Sequence, residues 1–203
     1  GFQRNDVMAK ARVSTDADAT YFHGLELKVG WQDEVSNETY LGLTEADFER
    51  DPNRRYVASA NDKMQWTRIQ GAGTYSFRFD ALSVDVTAYR HNFDRTWKRL
   101  NSFAQGPSIQ SVLANPDGGQ NAVYMGILRG EIDTESIGQT LLVARNERSF
   151  FSQGVQGRAT YGFGLFGVRQ DIEVGARVHQ DQIERHHTDQ GFLVVQGTLG
   201  PDG

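Results

Sequence analysis

Across residues 21–32 the chain follows a period of two: odd positions read Tyr21, His23, Leu25, Leu27, Val29 and Trp31, while even positions read Phe22, Gly24, Glu26, Lys28, Gly30 and Gln32. A period of two predicts a β-strand with one apolar face. The rhythm recurs over residues 67–79, where Ile69, Gly71, Gly73, Tyr75, Phe77 and Phe79 oppose Arg68, Gln70, Thr74, Ser76 and Arg78. It returns over residues 7–13, 155–163 and 172–178, and no Asp, Glu, Lys or Arg falls on the apolar row of any of these strands. A sixth strand from Ser83 begins in phase with Val84, Val86 and Ala88, but Arg90 then lands on the apolar row. Either a bulge shifts the phase there, or the strand has left its apolar surroundings by Arg90.

Connection lengths add a second pattern. Short links of roughly five residues around Asp16, a few at 80–82 and about six at 164–170 alternate with long segments at 34–62 and 104–148, the short-rim, long-rim asymmetry of outer-membrane barrels. Tyr21, Tyr75, Phe77, Phe79, Tyr161 and Phe163 lie beside the short turns, and Trp31 and Phe151 sit on the same row about ten residues farther along, as two interfacial aromatic girdles require. The expected fold is all-β: an antiparallel transmembrane β-barrel wall of about six or seven strands, too few for the smallest usual barrel of about eight and therefore a segment of a larger one. A soluble β-sandwich is the alternative, because periodicity alone does not distinguish a sandwich exterior from a barrel lumen.

Composition narrows the classes. The 203 residues are 38% hydrophobic and 23% charged, with a mean hydropathy of -0.55. No window approaches the roughly 18 continuous apolar residues of a membrane helix, although a barrel strand hides its apolar positions from such averaging. A net charge of -5 argues against a general nucleic-acid partner, which needs a basic face. Zero cysteines exclude disulfides and thiolate metal sites. The first residues show no basic segment followed by an apolar one, so any signal peptide is expected to be removed or to lie outside this chain.

In the first long loop, Thr44 is placed to cap a short helix with acids in its first turn, and Pro52 to stop it. Arg54, Arg55 and Tyr56 from this loop, with Arg95, Trp97 and Lys98 near the second, are the candidate ligand-binding residues, offering guanidinium forks and aromatic faces to an anion. The alternative is that Arg54 and Arg55 pair with Glu45, Asp47 or Glu49 and that Trp97 anchors the rim. His179, His186 and His187 suggest a metal, but adjacent strand residues point oppositely, so no metal ligand is assigned. Residues 37–39 match a glycosylation triplet by chance, and residues 115–119 read as a turn, not a calcium loop. No catalytic motif stands in a supporting context, so no enzyme activity, catalytic residue or cofactor is expected. A hydrolase using His91 or His179 on the rim is the enzymatic alternative.

Four stretches, SNETYLGLTEADFERDPNRRY at 36–56, VDVTAYRHNFDRTWKRLNSF at 84–103, SQGVQGRATY at 152–161 and EVGARVHQDQIERHH at 173–187, resemble the TonB-dependent outer-membrane receptors, particularly the ferric dicitrate and siderophore branch. The resemblance implies a barrel of about 22 strands around a plug in the outer membrane of a Gram-negative bacterium. It also implies capture of a ferric chelate by loops and plug, and uptake driven by a periplasmic energy-transducing partner, TonB. Residues 1–203 then form part of the barrel domain, without the plug domain or a partner-binding box, and contact outer-membrane lipid. A passive porin or structural barrel is the alternative within the same architecture.

Overall fold

A computed structural model describes residues 1–202 and shows one antiparallel sheet whose seven strands are hydrogen-bonded in chain order. They are β1 (Phe2–Ser14), β2 (Tyr21–Ser36), β3 (Lys63–Phe79), β4 (Leu82–Phe103), β5 (Leu141–Leu165), β6 (Val168–Val195) and β7 (Thr198–Pro201). Three short helices, α1 (Glu45–Arg50), α2 (Ile109–Ala114) and α3 (Asn121–Arg129), lie in the two long connections. The sheet is open. Strand β1 forms one edge, and β6 forms the other over most of its length, because β7 covers only Phe192 to Val195.

Register fixes two faces, since residues directly opposite in adjacent strands project to the same side. Leu25 faces Tyr75, which faces Val86; Val86 faces Gly157, and Gly157 faces Ala176. The first face therefore takes odd positions of β1–β3 and β5 and even positions of β4 and β6. From the short turns to Trp31, Ile69, Ala88, Phe151 and Val178 it carries no formal charge, and Val29, Ile69, Val155 and Val174 on it are at least half exposed. Gly73 in this belt makes room for Leu27, whose Cδ2 lies 3.3 Å from where a Cβ would stand.

No bulge occurs at Arg90. The β3–β4 and β4–β5 ladders run unbroken through it, and the single shift lies at Leu100/Ser102. Arg90 stays on the apolar row because its guanidinium is satisfied there, donating to Gln153 Oε1 at 2.8 Å and Asn92 Oδ1 at 3.2 Å and lying 5.0 Å from the Phe151 ring centre. The strands also run farther than alternation suggests. Beyond the belt charged residues stand on both faces, as Asp94, Glu147 and Glu184 do on one and Arg95, Arg148 and Arg185 on the other, so the period-two signal fades while the backbone ladder continues to Phe103, Leu141 and Val195. The third short link tightens to a two-residue turn at Phe166 and Gly167, both with positive φ (52° and 75°), the type I′ geometry that matches strand twist.

The long connections are folded. Thr44 caps α1, its Oγ1 accepting from the Asp47 amide at 3.2 Å, and Ser108 caps α2 in the same way at 3.1 Å. Gly130, left-handed at φ 82°, ends α3. Together they cover the far end of β4–β6 on the apolar-row side, burying Leu100, Leu141, Val143, Phe192 and Val194 against Leu41, Tyr56, Val112, Met125, Ile127 and Leu128. Leu128→Ala removes a fully buried side chain and is expected to cost about 2–5 kcal/mol, read as a shifted denaturation midpoint, with the far-UV strand signal unchanged after refolding.

Candidate functional site

The cap is held by one buried carboxylate. Asp47, 1% exposed, accepts hydrogen bonds from Tyr56 Oη at 2.7 Å, from Arg129 Nη2 at 2.8 Å, from Arg54 Nη1 at 3.1 Å and from Thr44 Oγ1 at 3.1 Å. Burial alone would raise its pKa, but bonds from Tyr56, Arg129 and Thr44 and the charge of Arg129 outweigh it and lower the carboxyl to about 2. Arg54 comes from the first loop and Arg129 from α3 in the second, so Asp47 ties the loops together. A second carboxylate, Asp62, accepts from the Leu100 amide at 2.8 Å, just before the bulge, and from Thr39 at 2.9 Å. Burial pushes its pKa up, against those donors and Arg55 and Arg99.

The opposite face of the sheet is rich in charge and carries thirteen Lys and Arg against eight Asp and Glu, at even positions of β1–β3 and β5 and odd positions of β4 and β6. The chain as a whole is acidic, so the positive charge is concentrated on this wall while turns and loops hold the acids. Near the short turns Arg158 is paired, lying 3.4 Å from Asp85 and 3.9 Å from Glu173, with Ser76 donating to Asp85 at 2.6 Å. Midway, Tyr89 reaches across β5 to His179 Nδ1 at 2.8 Å and Arg177 at 2.6 Å. Gly154 permits that crossing, because a Cβ there would stand 2.7 Å from the Tyr89 hydroxyl and 2.6 Å from the Val178 carbonyl. Toward the loops Phe93 packs against Trp66 and Phe150, each at 5.6 Å between ring centres, forming an aromatic shelf beside a concavity of about 530 Å³ lined by Arg68, His91, Phe93, Phe150 and His179.

The six sequence-derived candidates do not converge. Arg54 and Tyr56 are engaged with Asp47, and Arg55 donates to the carbonyls of Asn37 at 3.1 Å and Asp62 at 2.8 Å. Lys98 lies on the apolar-row side with its ammonium 4.8 Å from the Phe192 ring centre. Arg95 and Trp97 occupy the polar face, where Tyr40 meets Trp97 edge-on at 5.8 Å and Arg99 lies 4.1 Å from the Tyr40 ring centre. Arg148 and Arg185, opposite Arg95 across two ladders, escaped the sequence reading because only register reveals cross-strand neighbours. Of the histidines, His187 lies 3.4 Å from Asp189, and among the described residues no three potential metal ligands converge.

By fold, this is an all-β protein built on a single antiparallel sheet. Compared with models of known protein families the chain matches none, and no curated protein matches it.

Asp47→Ala leaves Tyr56, Arg54 and Arg129 without their acceptor and is expected to cost about 2–4 kcal/mol. Because the folded carboxyl sits at about 2 against an ordinary 3.8, the stability it contributes is full above about pH 4 and is lost as pH falls toward 2. A pH series of unfolding midpoints should therefore drop over that window in the native chain and flatten in Asp47→Ala.

Proposed function

We propose that the chain is a stretch of outer-membrane barrel wall from a TonB-dependent receptor that takes up a ferric chelate. The observation that carries this reading is the apolar belt: one face, exposed along its length, bounded by aromatics and interrupted by a single charge, Arg90 near its upper margin, and backed by a face that is rich in charge. In water an exposed apolar surface of that extent is a liability, whereas in a bilayer it is the required lipid-facing band. From Tyr21 to Trp31 the belt runs ten residues, about 33 Å along the strand, which at a tilt of about 40° stands about 25 Å tall. Tyr21 stacks on Phe79 with 4.7 Å between ring centres, at one margin, and Trp31 pairs with Ile69 at the other.

The open edges fit the same account. Unpaired amides and carbonyls along β1 and β6 cannot face hydrocarbon, so in the complete barrel they pair with further strands, and the segment belongs to a larger wall closed around a plug. The short turns then lie on the periplasmic side and the folded cap on the outer side. The polar face lines the lumen, where its basic charge favours an anionic chelate. Plug movement, driven by the periplasmic partner TonB, releases the cargo inward.

A direct test expresses the complete gene in an iron-starved Gram-negative host and follows radiolabelled ferric citrate and a ferric siderophore. Uptake of one of them that stops when the proton gradient is collapsed is the expected result. Uptake that persists without the gradient would instead identify a passive pore, and no uptake of either would refute the iron-receptor reading.

A further inference from the structure

We propose that Arg95, Arg148 and Arg185 form an anion site on the polar face, built for a small molecule bearing several carboxylates or phosphates. Arg95 lies directly opposite Arg148, and Arg148 directly opposite Arg185. Residues so paired have Cβ atoms about 5 Å apart, and like charges there are destabilising. No carboxylate offsets the repulsion: among the described residues none lies within 4 Å of any of the three guanidinium groups, and their neighbours are neutral, Asn146 Oδ1 accepting from Arg148 Nε at 2.9 Å and the Trp97 ring lying 5.8 Å from Arg95. Some cations on the same wall do find carboxylates, as Lys10 does with Glu26 at 2.9 Å and Arg158 with Asp85 at 3.4 Å; what sets these three apart is that they stand directly opposite one another.

A second observation on the same strand face points to the same occupant. Arg95 Nε, Trp97 Nε1 and Arg99 Nε are buried donors without an acceptor, and they belong to alternate residues of β4, hence to one side of it. Buried donors are almost always satisfied, so three orphans in line beside three uncompensated charges call for an acceptor from outside the chain. Arginine forks bind carboxylates and phosphates bidentately. One cross-strand step toward the turns, Phe93 and Phe150 present apolar faces that suit a ligand with a flat or aliphatic body between its anionic groups. The acids of the loops make attraction a short-range property of this wall.

The site deepens the uptake reading, on which its biological role rests, but it can be tested without transport. The full chain, refolded in detergent micelles, is titrated with citrate and, separately, with tripolyphosphate, following emission from Trp66 and Trp97. Saturable quenching by at least one is expected, and the preferred one identifies the anion chemistry. The combined variant R95Q/R148Q/R185Q should weaken that binding at least tenfold. R169Q, which removes one positive charge at the turn end of the same face, should change it less than twofold. No saturable change with either anion, or equal losses in the two variants, would overturn the proposal. R148Q alone provides a check that does not depend on the triple variant folding. Without anion it should raise the melting temperature by removing the central like charge, and it should abolish the rise that the anion produces in the native chain. A lowered melting temperature with the anion effect intact would count against the site.

Discussion

Each ladder of this sheet has a register, and a slip of a single residue in any of them would carry every side chain of a strand to the opposite face. With long ladders such as β3–β4 and β4–β5, such a slip would move Arg68, Arg78, Arg158 and Arg177 into the uncharged belt and bury Val84, Val86 and Val174 among charges. Everything else in the structure depends on that not happening. The tight turn at Phe166–Gly167 fixes one hairpin, and the bulge at Leu100/Ser102 is confined to the far end, where the Asp62 carboxylate receives the Leu100 amide.

Two kinds of packing coexist in the molecule. The cap has an ordinary interior, with Val112, Ile127, Leu128 and Leu141 removed from solvent and Asp47 saturated by donors from both loops. The belt has none: its side chains stand on one face of a single layer with no second layer over them. A sheet normally buries an apolar face against another element, and here the partner must be supplied by the surroundings. The polar face inverts the economy of the cap, for Arg95, Arg148 and Arg185 are gathered without the carboxylates that Asp47 provides to Arg54 and Arg129.

Much of the fold was legible in the sequence because alternation survives wherever the two faces meet different surroundings. Strands β1, β2 and β3 and the belt halves of β4, β5 and β6 announce themselves through Val7, Leu25, Tyr75, Val86, Val155 and Val174. The Thr44 cap was equally readable, being a local contact three residues long. Where both faces are polar, as over residues 181–190, periodicity carries no information, and the upper strands went unseen. The site was less legible for a related reason. The pairing of Arg54 with Asp47 was the alternative that the loop's charges offered, and it forms; the other partner, Arg129, meets Asp47 only in three dimensions, as do Arg95, Arg148 and Arg185, which lie far apart in the chain.

The central claim is that the uncharged face meets lipid and the basic face does not. The chain's three tryptophans report on the two faces, Trp31 on the first and Trp66 and Trp97 on the second. In variants of the complete barrel that keep one of these tryptophans alone, reconstituted into vesicles of lipid brominated along the acyl chains, Trp31 emission should be strongly quenched, while Trp66 and Trp97 should keep most of theirs. Equal quenching at all three positions, or none at Trp31, would contradict the account.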